Sequence, residues 1–166
     1  MEQSRGDDIL SLDEIKNEIE STINLKLDYS AIHDCASFQA VIHQLNGWRD
    51  YLTEKRKEVR SIHNDVKHGL REAETEYKQM KNRAVVRIKT EEKSLSIDIV
   101  KAKAEIEVES YDKTVMSIKT DEDSITSIED YLKDTDRLLS DHCTSARKIS
   151  DHLRDEYNRT GIDRKY

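Results

Sequence analysis

The chain has 166 residues, enough for one domain, with 38% charged residues, 5% aromatics and a formal net charge of −7. It contains no proline and four glycines (Gly6, Gly47, Gly69 and Gly161), so neither helix breaker occurs from Leu70 to Thr160. Sheet proteins need such residues at their turns, and this composition is that of a coiled coil rather than a compact enzyme.

No apolar run approaches the roughly 20 residues that a membrane-spanning helix needs, so no membrane association is expected. The acidic start, Met-Glu-Gln-Ser-Arg-Gly-Asp-Asp, offers no apolar segment of the secretory kind. Cys35 and Cys143 lack the spacing of a disulfide framework, which predicts reduced thiols in a cytosolic protein.

Residues 1–10 are expected to be a flexible N-terminus. Ser11 and Glu14 have capping-box spacing and open a first helix over 11–27, with Leu12, Ile15, Ile19 and Ile23 as its apolar stripe. Asp28 to Ser30 reads as a break. A long helix is predicted over 31–88. Its seam steps by fours and threes through Val41, Leu45, Trp48, Leu52, Lys55, Val59 and Ile62, then Val66, Leu70, Ala73, Tyr77, Met80 and Ala84. The extra step of four between Ile62 and Val66 is a stutter.

A connector follows over 90–110. Ser96 could cap a short helix from Ile97 to Glu105. The stretch Lys103 to Glu109 alternates as a strand would. A lone strand has no partner, which favours helix or turn. A returning helix is predicted over 111–158, with a tail at 159–166. Tyr111, Val115, Ile118, Ile125, Leu132, Leu139, Cys143, Ala146, Leu153 and Tyr157 form its seam, and Glu122, Glu129, Asp136 and Ser150 fill the remaining slots. Ile128 and Ile149 sit beside it.

The predicted fold is therefore all-α: a long antiparallel helical hairpin, or coiled coil, with an N-terminal amphipathic helix packed at one end of a single domain. With a connector centred near residue 100, Cys143 falls near Arg56. Apolar residues between Ile32 and Leu52 cover more than one face. Phe38, Val41, Leu45, Trp48 and Leu52 are accordingly candidates for self-association, against the alternative that the first helix covers them in a monomer.

Charge is uneven. Residues 55–89 hold 11 cations against 5 anions, whereas 111–141 hold 4 against 9. A basic stripe along a helix suits a phosphate backbone, and Tyr77 could stack a base. Equally, the stripe could pair with the acidic returning helix or simply face water. His63 and His68 are five apart, and the His/Cys pairs at 33/35 and 142/143 lack zinc spacing, so no metal is expected. Phosphate-loop, dinucleotide and nucleophile-elbow motifs are missing too. The reading is a non-enzyme without cofactors.

Three features, taken in order, resemble a known family. They are the segment Asn46-Gly-Trp-Arg-Asp-Tyr-Leu52 after an amphipathic helix, the basic helix around Leu70-Arg-Glu-Ala-Glu-Thr-Glu-Tyr77, and the returning Ile128-Glu-Asp-Tyr-Leu-Lys-Asp-Thr-Asp-Arg-Leu-Leu-Ser-Asp-His-Cys143. The pattern is similar to the recombination mediator proteins of tailed bacteriophages, the UvsY type, over most of the chain. The resemblance implies a homo-oligomer that binds single-stranded DNA. It would help a RecA-like recombinase displace single-strand binding protein, in the cytoplasm of a phage-infected bacterial host. In that family the DNA contacts lie on the basic helix before the connector, which carries over to Arg71. Lys67, Lys78, Lys81, Arg83 and Arg87 are the further candidates. A structural or adaptor coiled coil that binds a protein partner is the alternative.

Overall fold

The computed structural model describes residues 11–23, 27, 29, 32 and 34–160. Of these, 92% are helical and none lies in a strand. Four helices follow in order: α1 (Leu12–Thr22), α2 (Cys35–Glu91), α3 (Ile97–Glu107) and α4 (Glu109–Thr160). The expectations for residues 1–10, for Asp28 and Ser30, for His33 and for the tail beyond 160 lie outside the described residues.

Local chemistry sets the helix starts. The Ser11 hydroxyl accepts from the Glu14 amide at 3.1 Å, and Glu14 accepts in return from the Ser11 amide at 3.0 Å, which satisfies two orphan donors of α1. This pairing holds the Glu14 carboxyl below its usual range. Asp34 does the same for α2, accepting from the Ser37 amide at 2.8 Å and the Ser37 hydroxyl at 2.6 Å. Ser96 caps α3 through the Ile99 amide. The segment that alternates like a strand is thus helical, because its buried positions, Val100, Ala104 and Val108, repeat every four residues.

The reversal is much tighter than a 90–110 connector. The chain leaves α2 after Glu91 and re-enters helix at Ile97. No glycine or proline makes this turn. Instead the Lys89 ammonium donates to the carbonyls of Leu95 at 2.6 Å and Lys93 at 3.3 Å, as cations near helix C-termini commonly do. The returning arm therefore starts at Ile97, and the pairing register moves accordingly. Cys143 lies against Asn46, with its sulfur 3.7 Å from Oδ1, and not near Arg56, which instead meets Asp136.

Helices α2 and α4 pack as a helical hairpin, and the chain divides into two compact units. Among the described residues, the α1 unit holds those from Ser11 to Val59 and from Ser127 to Thr160. There Leu45, Leu52 and Val59 of α2 and Ile128, Leu132, Leu139 and Cys143 of α4 are all buried. Ile15, Ile19 and Ile23 of the α1 segment are buried as well. The Glu18 carboxylate fixes α1 to α2, receiving the Lys55 ammonium at 2.9 Å and the Tyr51 hydroxyl at 2.7 Å. A second cluster joins Phe38, Ile42 and Ala146 to Tyr29, Ile32, Ile149 and Leu153. The α4 seam passes through Ile128 and Thr135, not through Glu129 and Asp136, which are half-buried at its edge.

The α3 unit holds Arg60–Thr126. One cluster of its core sets Ala84 and Ile88 of α2 against Val100, Ala104 and Val108, edged by Tyr77, Met80, Val85, Leu95 and Tyr111. Two cross-helix ion pairs flank this seam, Lys81 to Glu105 at 2.8 Å and Arg87 to Glu107. Where the α2 heptad stutters, the buried residue is His63 and not the expected Ile62, which is half-buried.

Candidate nucleic-acid interface

The antiparallel register decides which cations of the basic stripe already have partners. Of the 11 between residues 55 and 89, Lys55 is held by Glu18 and Glu58, Lys57 by Glu54, and Arg56 by Asp136, which also receives Arg49. Lys81 and Arg87 are tied to α3, and Lys89 to the turn carbonyls. Lys67 stands 4.0 Å from Glu122 of α4, at the limit of an ion pair. Only Arg56 and Lys67 thus engage the acidic stretch of the returning helix.

Arg60, Arg71, Lys78 and Arg83 differ. All four are exposed, and among the described residues none lies within ion-pair distance of a carboxylate. Arg83 only brushes the Met80 sulfur, at 4.0 Å. Arg60, Lys67, Arg71 and Lys78 are separated by seven, four and seven residues, which puts them on one face of an α-helix. Asn64, Glu74, Thr75 and Asn82 fall on the same face by the same arithmetic, and Glu74 is taken up by Lys119 of α4 at 3.6 Å. At about 1.5 Å of rise per residue, the four cations span roughly 27 Å. This face lies on the flank of α2, beside the seam defined by Val59, His63, Ala84 and Ile88.

The six expected DNA contacts therefore separate. Lys67, Arg71 and Lys78 share the flank. Lys81 and Arg87 belong to the contacts with α3, where Glu105 raises the Lys81 ammonium above its usual value through their hydrogen bond. Arg83 points elsewhere. Arg60 joins the flank without having been selected from the sequence. The recurrence of a cation at i, i+7, i+11 and i+18 was the signal available for it. Tyr77 does not stand ready for a base, because its ring packs on the Ala84–Ile88 cluster, with the Lys81 ammonium 5.7 Å from its centroid.

The residues considered for self-association also separate. Phe38, Leu45 and Leu52 are buried inside the α1 unit and so present no surface for a second copy. Val41 and Trp48 keep partial exposure. Both cysteines are free thiols, and Cys35 donates to the Ser150 carbonyl at 3.6 Å. Among the described residues no cluster of His, Cys, Asp or Glu is arranged to hold a metal, and no helix is long and apolar enough to cross a membrane.

Scans against protein-family models, curated proteins and solved structures each return no match for this chain.

Proposed function

We propose that this chain is a single-stranded-DNA-binding recombination mediator that holds the strand by its phosphates along the exposed flank of α2. One observation carries the reading: Arg60, Arg71 and Lys78, together with the weakly held Lys67, form a one-sided row of cations, and the carboxylate among them, Glu74, is taken up by Lys119 of α4. Such a row neutralises phosphates and releases their condensed counterions. With no aromatic ring free on the flank, contact is to the backbone, and base sequence matters little. The chain as a whole is acidic, so binding depends on this localised row. Acting as an oligomer would multiply several weak contacts. Assisting a RecA-like recombinase against single-strand binding protein follows from the family pattern in the sequence.

The test is fluorescence anisotropy with labelled oligothymidylate. Three phosphate contacts on a single strand, from Arg60, Arg71 and Lys78, give a slope of log K against log salt of about −2, or roughly an eighteenfold loss between 50 and 200 mM, and a full contact from Lys67 takes the slope to about −3. Replacing Arg60, Arg71 and Lys78 together with alanine should abolish binding, whereas Lys81→Ala should leave it. Absence of binding at low salt by a fully helical protein overturns the reading. Light scattering with and without the oligonucleotide tests the oligomer.

A second reading, an adaptor for a protein partner, has its own observation. On α3, Ile99 and Ile106 are 48% and 73% exposed, and Ala102 lies between them on the face opposite the buried Val100 and Ala104. A partner helix could use that stripe. Ile106→Glu would then remove partner binding and leave DNA binding intact.

A further inference from the structure

The buried histidine at the α2 stutter touches the proposed strand-binding row through a shared carboxylate. His63 is only 7% exposed, yet it stands at a seam position where the repeat would put an aliphatic residue. Its Nε2 is 3.8 Å from Oε1 of Glu122, and the Lys67 ammonium is 4.0 Å from that same oxygen. Lys67 belongs to the row, between Arg60 and Arg71. With the imidazole neutral, Glu122 is available to Lys67 and compensates part of its charge. A protonated imidazole draws on that carboxylate from the buried side.

We propose that His63 makes strand binding by the α2 flank pH-responsive by competing with Lys67 for Glu122, an inference that rests on the reading of this flank as the DNA site. Imidazole takes up its proton within the range of cellular pH. On protonation the His63–Glu122–Lys67 group gains one positive charge, and Lys67 becomes a full member of the row. On α2, Arg60 lies three residues before His63 and Lys67 four after it. On α4, Asp121 and Asp123 adjoin Glu122 on either side, while Lys119 is taken up by Glu74 at 3.6 Å. A second imidazole, His68, also lies near the row, but it is exposed and faces Glu72 at 3.6 Å on its own helix. It therefore has to be separated by experiment.

The experiment measures labelled oligothymidylate binding at 50 mM salt, at pH 8 and pH 5.5. Thymine and phosphodiester groups do not titrate in this interval, so any response belongs to the protein. One added phosphate contact predicts binding roughly eightfold tighter at pH 5.5, with a salt slope steeper by about 0.7. His63→Gln should abolish the response. Glu122→Gln should bind tightly at both pH values, because Lys67 is released permanently. This second variant keeps the test open if His63→Gln fails to fold by circular dichroism. His68→Gln should retain the response. Binding without a pH response in the unmodified chain, a response that survives His63→Gln, or one that vanishes in His68→Gln overturns this inference and leaves the DNA reading standing. Absence of binding at both pH values removes the DNA reading and this inference with it.

Discussion

The α1 unit and the α3 unit use the same two long helices to build different seams. In the α1 unit a third helix adds Ile15, Ile19 and Ile23, and the seam accepts Phe38, Leu45, Leu52, Leu132 and Leu139 at 0–1% exposure. In the α3 unit, where α3 and the start of α4 follow one another as the arm that returns along α2, the buried set is Ala84, Ile88, Val100, Ala104 and Val108, with His63, Val115 and Ile125 elsewhere along it. Among the described residues no leucine or phenylalanine is buried there, and a seam rich in alanine and valine lets two helices approach closely. The difference teaches why the candidate interface lies in the α3 unit. A two-helix seam leaves the α2 flank exposed, and cations can occupy it without desolvation.

The sharpest way to break this contrast is to empty the larger seam. Leu139→Ala or Ile19→Ala should cost about 2–5 kcal/mol in urea denaturation, since both side chains are fully buried and truncation leaves a cavity. In the α3 unit the vulnerable direction is reversed. Ala104→Leu should cost about 1–3 kcal/mol by overpacking, and hydrogen exchange should show α3 amides opening first. If Ala104→Leu is neutral, the small residues there are not what permits close approach.

Next in size is the cap of α1. Ser11→Ala should cost about 1 kcal/mol, read as faster amide exchange in Leu12–Thr22 with the α3 unit unchanged. The smallest effect is the ion pair that fixes α1. The Lys55 ammonium and the Tyr51 hydroxyl hold the Glu18 carboxyl below its usual range, and Glu18 in turn raises Lys55. Each shift favours the charged form in the folded state. The Glu18 contribution is present at neutral pH and lost as pH falls below the ordinary carboxylate value of about 4.3, through the lowered one. That of Lys55 is lost only as pH rises beyond its ordinary value of about 10.4. Because Glu18 is partly exposed, Glu18→Gln should cost under about 1 kcal/mol at pH 7. That difference should shrink toward pH 3.

The hairpin was legible in the sequence because heptad spacing survives packing. Leu45, Leu52 and Val59 of α2 are buried where their repeat places them. The phase of α4 was not. Between Ile125 and Leu139 the steps can be read as three-four or four-three, and the first seats Ile128 and Thr135 while the second seats Glu129 and Asp136. Only the partner helix decides, through a register set by the reversal at residues 92–96. Nothing but the Ser96 cap marked that turn in the sequence, because a lysine rather than a glycine closes it. The candidate interface shares this fate. Clustering of cations is visible in composition, but which of them are already paired depends on the same register.

The tight reversal also orders the assembly of the fold. Lys103 and Glu92 are 11 residues apart along the chain, whereas Arg49 and Asp136 are separated by 87. Chain-closure entropy grows as the logarithm of that span, which makes the distant pair about 2 kcal/mol harder to bring together from the unfolded coil. Contacts in the α3 unit are thus the local ones, those that favour early formation. The larger apolar reward of the α1 unit arrives only after they have shortened the path to it.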